Sequence, residues 1–249
     1  RVLLIDSDPQ GNATSGLGID KAQLEKSLYD VLLGGASMVE VLCETEIDGL
    51  WLVPANSELV GAEVEIIGAA GRELRLKNAL ADLVDRYDYI FIDCPPSLGL
   101  LTINALVAAK SVLVTLQSEY YALEGISSLM QTIELAKSAV NPDLELEGVV
   151  LTMHDVRTNL SRQVESEARE FFGDKVFETV IPRNVRLSES PSFGRPIVLY
   201  DPQSVGAGAY QTLAREMLRR HGKPLNSQKD SGKKRGGAIS KLLRRRAAG

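Results

Sequence analysis

The chain has 249 residues, of which 44% are hydrophobic and 24% charged, a composition typical of a soluble globular protein. No run approaches the roughly 18 apolar residues of a membrane helix, and two cysteines with two histidines in no ligand spacing argue against a disulfide framework or a zinc site. The net charge of −5 is uneven, because residues 223–249 carry nine Lys or Arg and one Asp, which leaves the first 222 residues strongly acidic.

The chain opens on an apolar strand, Val2–Ile5, that ends on Asp6. A loop of turn-forming residues follows and contains a second acid, Asp8. Because a buried strand starts directly at Arg1, we expect a further element of the domain to precede it. The loop is either a plain turn or one wall of a ligand site at the carboxyl edge of a sheet.

A second apolar run, Tyr89–Ile92, ends on Asp93 and is followed by two prolines that cannot continue a strand. The pattern predicts a strand of a parallel sheet that is buried on both faces. Asp93 at its tip either holds a hydrated Mg²⁺ or caps the helix that begins near Leu98. Cys94 is interpreted as a small buried residue.

Hydrophobic periodicity and breakers predict alternating helices and strands along the rest of the chain. Helices are predicted over residues 22–33, 38–43, 57–67, 72–86, 98–110, 123–140, 159–172 and 204–221, and strands over 50–53, 111–116, 148–153 and 176–181. This order predicts the α/β class, a doubly wound and mostly parallel sheet with helices on both faces. We expect one domain over residues 1–222 and a basic, disordered tail over 223–249.

Four sequence blocks carry a resemblance to a known family: residues 2–18, 92–106, 117–125 and 181–189. In them the chain resembles the ParA/Soj ATPases, which partition chromosomes or plasmids, and the likeness extends over about residues 1–220. The resemblance implies a P-loop NTPase fold, ATP and Mg²⁺ as cofactors, and a homodimer that forms on ATP binding. It also implies a cytoplasmic protein associated with the nucleoid, with no membrane attachment.

The chain departs from the family at one point. Members carry a glycine-rich phosphate loop that ends in Gly-Lys-Thr-Thr some thirty residues before the strand that matches Val2–Ile5, and residues 1–249 contain no Gly-Lys-Thr. We therefore expect a first strand and phosphate loop to be missing, and this chain alone to be inactive. We expect the missing strand to lie between the Val2–Ile5 strand and the Asp93 strand.

The resemblance assigns roles to site residues. Asp8 corresponds to the acid that orients the attacking water, and Asp93 to the Walker B acid that binds Mg²⁺ through water. Asp6 either helps to hold the Mg²⁺ waters or holds the loop. Pro182 and Asn184 correspond to a segment near the nucleotide base, where a purely structural role is the alternative.

Two arginines, Arg157 and Arg186, match positions that the family uses to bind duplex DNA without sequence preference. No base-reading motif accompanies them, as expected for contacts to the phosphate backbone. The resemblance implies a switch in which the ATP-bound dimer binds DNA and a ParB-like centromere-binding protein stimulates hydrolysis.

Other hypotheses remain open. The chain is alternatively an inactive DNA-binding or scaffold fragment, or a division-site-selecting ATPase of the same superfamily, for which the basic tail is weak support. An iron–sulfur reductase component fits poorly, because Cys43 and Cys94 do not match its cluster ligands.

Overall fold

The computed structural model of the protein describes residues 1–119 and 122–223. The chain divides into two compact units, Arg1–Leu213 and Ala214–Gly249, and the first unit contains the strands that the structure describes and every candidate site residue. Most of the predicted tail lies outside the described residues, so the predicted boundary at residue 222 stays a prediction.

Six strands form two sheets in the described part of the chain. They are β1 Val2–Asp6, β2 Cys43–Glu44, β3 Leu50–Val53, β4 Tyr89–Asp93, β5 Ser111–Gln117 and β6 Glu145–Thr152. The first sheet has the order β2-β3-β1-β4, parallel except for the short edge strand β2, and the second pairs β5 with β6 in parallel. The predicted α/β class with a mostly parallel sheet is confirmed.

Ten α-helices connect or flank these strands within residues 1–119 and 122–223. They are α1 Asn12–Gly16, α2 Leu28–Leu33, α3 Leu59–Ile66, α4 Arg75–Leu80, α5 Leu100–Ala108, α6 Ala122–Ala139, α7 Asn159–Phe172, α8 Val185–Glu189, α9 Ile197–Tyr200 and α10 Val205–Arg220. One hydrophobic core packs α2 to α5 against the first sheet around Leu3 and Ile5, and a second surrounds Leu116 and Leu151 of β5 and β6. The predicted helix 159–172 is confirmed residue for residue.

The prediction of a strand between β1 and β4 is wrong. β1 pairs directly with β4 in parallel over five residues, from Val2 opposite Tyr89 to Asp6 opposite Asp93. Periodicity identifies strands but carries no information on which strands are neighbours, and this is where the expectation failed. The pairing sets the two acidic strand ends side by side, which is the basis of the candidate site.

Strand β4 is also less buried than predicted. Phe91 is 38% exposed and stacks with Tyr89 on the same face, their ring centroids 6.1 Å apart, while Ile90 and Ile92 face the first core. β4 is the last strand of its sheet, and within the described residues its outer edge pairs with no strand. Cys94, which follows it, is exposed, so its prediction as a buried residue is wrong.

Four other predicted elements differ from the structure. Within residues 22–33 the α-helix begins only at Leu28, after a 3-10 turn at Lys21–Gln23, and residues 38–42 form turns that lead into β2. The predicted helix 72–86 is an α-helix only over Arg75–Leu80, with 3-10 turns at Arg72–Leu74 and Val84–Arg86. Segment 176–181 runs beside β6 and donates hydrogen bonds to it from Phe177 and Ile181, but it forms only isolated bridges and not a strand.

No helix in the described part of the chain combines the length and apolar content needed to cross a membrane.

Candidate functional site

The loop after β1 is built around the buried carboxylate of Asp6. One oxygen, Oδ2, accepts hydrogen bonds from the backbone N–H of Thr14 at 2.8 Å and from its hydroxyl at 2.7 Å, and Oδ1 accepts from the N–H of Asp8 at 3.2 Å. The Thr14 hydroxyl also accepts from the N–H of Ala55, which follows β3. Asp6 is fully buried, and these contacts support the alternative in which it holds the loop. A role of Asp6 in holding the waters of Mg²⁺ stays a prediction.

Glycine at position 11 allows the loop to turn back towards β3. Gly11 has φ of +60°, and a Cβ at this position would lie 2.7 Å from the carbonyl oxygen of Ala55. The tight turn places the half-buried Asp8 at the start of the loop, where its Oδ1 accepts a hydrogen bond from the N–H of Gln10 at 2.8 Å. Its second oxygen, Oδ2, has no hydrogen-bond partner among the described residues and is available to a ligand.

Asp93 lies beside this loop, because β4 pairs with β1 and the N–H of Ser7 donates to the Asp93 carbonyl at 2.8 Å. Its side chain is accessible to solvent, yet its pKa is raised to about 6, first by desolvation against the sheet and then by the charges of Asp6 and Asp8. Burial also raises the pKa of Asp6 above its usual value. Mutual repulsion of three carboxylates would be relieved by a cation.

The donor set at this sheet edge fits a hydrated divalent cation. Carboxylate oxygens are the ligands that Mg²⁺ prefers, and Mg²⁺ usually retains several waters. In the described part of the chain, no three His, Cys, Asp or Glu side chains converge closely enough to chelate a metal directly. Contact through water is therefore the arrangement that these carboxylates support.

Asn184 and Pro182 lie where the predicted last strand would end. Pro182 bridges to His154, and the Asn184 side chain caps α8 by accepting from the N–H of Arg186 at 2.9 Å. The turn that follows α8, residues 190–193, packs against α1, and Gly18 lies against Gly194. The segment after Asn184 thus lies beside the Asp8 loop, although the cap supports the structural alternative for Asn184 itself.

Arg157 lies on the loop between β6 and α7, and its side chain is 83% exposed. It is held by Asp155, whose two oxygens accept from Nε at 2.9 Å and from Nη2 at 2.7 Å. The hydrogen bonds from Arg157 hold the pKa of Asp155 well below its usual range, with a smaller contribution from the charge of Arg183.

Arg186 on α8 is 55% exposed and lies between two acids, with Nη1 2.9 Å from Glu189 and Nε 3.4 Å from Asp201. Arg183 pairs with Glu119, which follows β5, at 2.6 Å, and its N–H donates to the His154 carbonyl. Each of these arginines therefore already has an acidic partner in the protein.

The structure brings Asp6, Asp8 and Asp93 together at one sheet edge, and it places Arg157 and Arg183 around the loop that follows β6. Sequence reasoning missed Thr14 and Asp155, which hold Asp6 and Arg157. Asp155 had a local signal, because an acid two residues before an arginine can accept from its backbone N–H. Thr14 had none, because its contacts join segments that are distant in sequence.

Residues 1–146 match the family model described as an AAA domain. The chain is 56% identical over 217 residues to the sporulation initiation inhibitor protein Soj of Bacillus subtilis, covering 87% of this chain and 86% of Soj. It is 55% identical over 220 residues to the chromosome partitioning protein ParA of Myxococcus xanthus, with 88% and 78% covered.

Among solved structures, the chain resembles a cobyrinic acid a,c-diamide synthase from Mycobacterium smegmatis with bound ATP analogue and magnesium. The TM-score is 0.77 at 40% identity, covering 89% of this chain and 83% of the other. ATP and Mg²⁺, the cofactors predicted from the sequence, are thus represented by the ligands of a solved structure with this fold.

Proposed function

The chain belongs to the ParA/Soj family of chromosome-partitioning ATPases, and from this premise we propose that it is the ATPase domain of a DNA segregation switch. ATP binding would join two copies into a dimer, the dimer would bind duplex DNA of any sequence, and a ParB-like centromere-binding protein would stimulate hydrolysis. The observation that carries the proposal is the direct pairing of the Asp6 and Asp93 strand ends, with Asp8 on the adjoining loop.

The carboxylates of Asp6, Asp8 and Asp93 would each have a different role in the reaction. Phosphoryl transfer depends mainly on positioning and on stabilisation of charge, and bound Mg²⁺ supplies neutralisation at the phosphates. Asp93 would contact the metal through water, and a cation there would be favourable because burial, and then the charges of Asp6 and Asp8, raise the pKa of Asp93 to about 6. Asp8 would orient the attacking water with Oδ2, since its other oxygen is fixed by Gln10. Asp6, held by Thr14, keeps the loop in place for both.

DNA binding is supported by the exposure of Arg157, on the loop after β6, and of Arg186, on α8. Guanidinium groups bind phosphate oxygens through paired N–H donors, and several such contacts from two protomers would act together. Each arginine has a carboxylate partner, so a single copy presents little net positive charge there. This agrees with binding that depends on a dimer.

An ATPase assay on the complete gene product that contains this chain tests the catalytic proposal. Asp8→Ala should retain ATP affinity within a few-fold but lose about 100-fold or more in turnover, because it removes water positioning and leaves phosphate binding intact. Asp82→Ala, a surface acid after α4, is the matched control and should keep full activity. Equal loss of ATP binding in Asp8→Ala would assign Asp8 a structural role, and absence of ATP binding by the parent would overturn the proposal.

A DNA titration tests the proposed DNA binding and its dependence on ATP. The gene product should bind unrelated duplexes with equal affinity in ATP and much more weakly without nucleotide, and the affinity should fall steeply with salt, with a log–log slope near −0.9 per phosphate contact. Arg157→Gln should weaken binding to all sequences alike and reduce that slope. Binding that is independent of nucleotide, or unchanged in Arg157→Gln, would contradict the proposed switch.

A further inference from the structure

We infer that Asp155 is an internal competitor for phosphate, which occupies the donor edge of Arg157 and sets how tightly the protein binds DNA. The inference rests on the proposed DNA-binding function of Arg157. It goes beyond that function because it assigns a role in affinity to an acidic residue on the same loop.

The geometry of the pair is that of an arginine bound to an oxyanion. Nε and Nη2 of Arg157 each donate to a different oxygen of Asp155, at 2.9 and 2.7 Å. This paired arrangement is also the one with which arginine binds a phosphate group. A DNA phosphate that uses the same edge of the guanidinium must therefore displace the Asp155 carboxylate.

The two partners differ in how firmly they are held. The Asp155 side chain is 16% exposed, whereas that of Arg157 is 83% exposed. The Asp155 N–H donates to the Ser161 hydroxyl at 3.3 Å, and its carbonyl accepts from the N–H of Thr158, the N-cap residue of α7, at 3.0 Å. The residue before it, His154, is tied to Ile181 and Arg183 through the backbone. The acid is thus fixed to the scaffold while the arginine extends into solvent and can exchange partners.

The cost of this exchange is small at each site and counts twice in a dimer. Exposed ion pairs of this type are weak, so we expect the exchange to change affinity by roughly 1.4- to 5-fold for each protomer. Arg186 is held in a similar way by Glu189 and Asp201, but two acids share it, so Asp155 offers the cleaner test.

The decisive variant is Asp155→Asn. Asparagine retains an oxygen that can accept the hydrogen bond from the Arg157 N–H, now 3.0 Å long, so the turn is preserved while the negative charge is lost. Asp143→Asn is the matched control, because Asp143 is exposed and precedes β6, at the opposite end of the strand that leads to Asp155.

Affinity for a random duplex is measured by fluorescence anisotropy on the complete gene product with ATP, between about 50 and 200 mM salt. Asp155→Asn should bind about 2- to 20-fold more tightly than the parent with an unchanged salt slope, and Asp143→Asn should stay within about 1.5-fold. In an Arg157→Gln background, Asp155→Asn should have no more effect than Asp143→Asn.

The outcomes distinguish the DNA-binding role of Arg157 from the competitor role of Asp155. If Arg157→Gln weakens binding but Asp155→Asn behaves like Asp143→Asn or binds less tightly, the DNA-binding role stands and the competitor role is overturned. If Asp155→Asn strengthens binding equally with and without Arg157, the effect is general electrostatics and the inference fails. If Arg157→Gln leaves binding unchanged, both fail. Should Asp155→Asn fold poorly, Asp155→Ser replaces it, since serine also accepts from the N–H two residues on.

Discussion

Thr14 links three parts of the chain at the candidate site. Its backbone and hydroxyl donate to Asp6, and its hydroxyl accepts from Ala55 after β3. All three groups are fully buried, so each hydrogen bond replaces one that water would otherwise provide. The position of Asp8 relative to Asp93 therefore depends on a residue that takes no part in the proposed chemistry.

Thr14→Val keeps the shape of the side chain and removes the hydroxyl. It leaves the Ala55 N–H without its acceptor and a buried carboxylate with one donor fewer, so we expect the free energy of unfolding to fall by about 2–4 kcal/mol. Urea denaturation would show this as a lower midpoint with an unchanged slope. Thr212→Val, at an exposed site, should change stability by less than about 0.5 kcal/mol. Equal effects of the two variants would contradict the role of Thr14.

The ionised carboxylate of Asp93 lowers the free energy of unfolding. Its pKa is raised in the folded protein from 3.8 to about 6, so the folded state binds the proton more tightly than the unfolded state does. The free energy of unfolding contributed by this group therefore falls as the pH rises from about 4 to about 6, and stays low above that range.

Asp93→Asn should consequently stabilise the protein at pH 7.5 but not at pH 4. Because the side chain is accessible to solvent, screening reduces the gain to about 1 kcal/mol. Urea midpoints at the two pH values measure it, with Asp143→Asn as the control for a lost surface charge. Added Mg²⁺ should raise the midpoint of the parent more than that of Asp93→Asn. A variant that is destabilised at pH 7.5 would show that the Asp93 charge is favourable in the fold.

At the scale of elements, sequence patterns identified strands with strong apolar runs, and they failed where tertiary packing decides. Segment 176–181 has the composition of a strand, yet the Phe177 ring packs over Gly148 of β6 and the segment forms only isolated bridges. The helix predicted from residue 22 begins at Leu28 because Ser27 and Asp30 form a capping box there. Neither outcome follows from periodicity alone.

The contact at Gly148 gives a prediction for this element. A Cβ at Gly148 would lie 2.6 Å from the Lys175 carbonyl oxygen and 2.7 Å from the Phe177 ring, so Gly148→Ala must displace the backbone of the neighbouring segment. We expect a loss of about 1–3 kcal/mol in the free energy of unfolding. Gly208→Ala in α10, with nothing within 4 Å, should instead be neutral or stabilising by up to about 1 kcal/mol. Calorimetric melting of both variants distinguishes packing at β6 from a general effect of alanine.

At the scale of the whole molecule, the α/β class was predictable because apolar strands alternate with amphipathic helices, whereas the strand order was not. The site was predictable to the extent that acids at the carboxyl ends of parallel strands share one edge, as Asp6 and Asp93 do. The acidic partner of Arg183 was not predictable, because Glu119 and Arg183 are 64 residues apart in sequence. Long-range pairing of this kind leaves no local pattern.

The distribution of charge over the whole chain leads to a last prediction. Residues 223–249 carry nine Lys or Arg and one Asp, so this segment could bind DNA by itself and compete with Arg157 and Arg186 as the source of affinity. The dependence of DNA binding on nucleotide distinguishes the basic segment from the two arginines, because a basic segment binds phosphate without any change in the ATPase domain. Deletion of residues 223–249 should lower affinity in all conditions but preserve the increase that ATP causes. Arg186→Glu in the full-length protein should remove that increase while ATP-driven dimerisation, measured by light scattering, remains. Filter binding with and without ATP is measured for four proteins: the parent, the deletion, Arg186→Glu and the deletion combined with Arg186→Glu. If the deletion abolishes all binding with or without ATP, the arginines of the folded domain are not the DNA site.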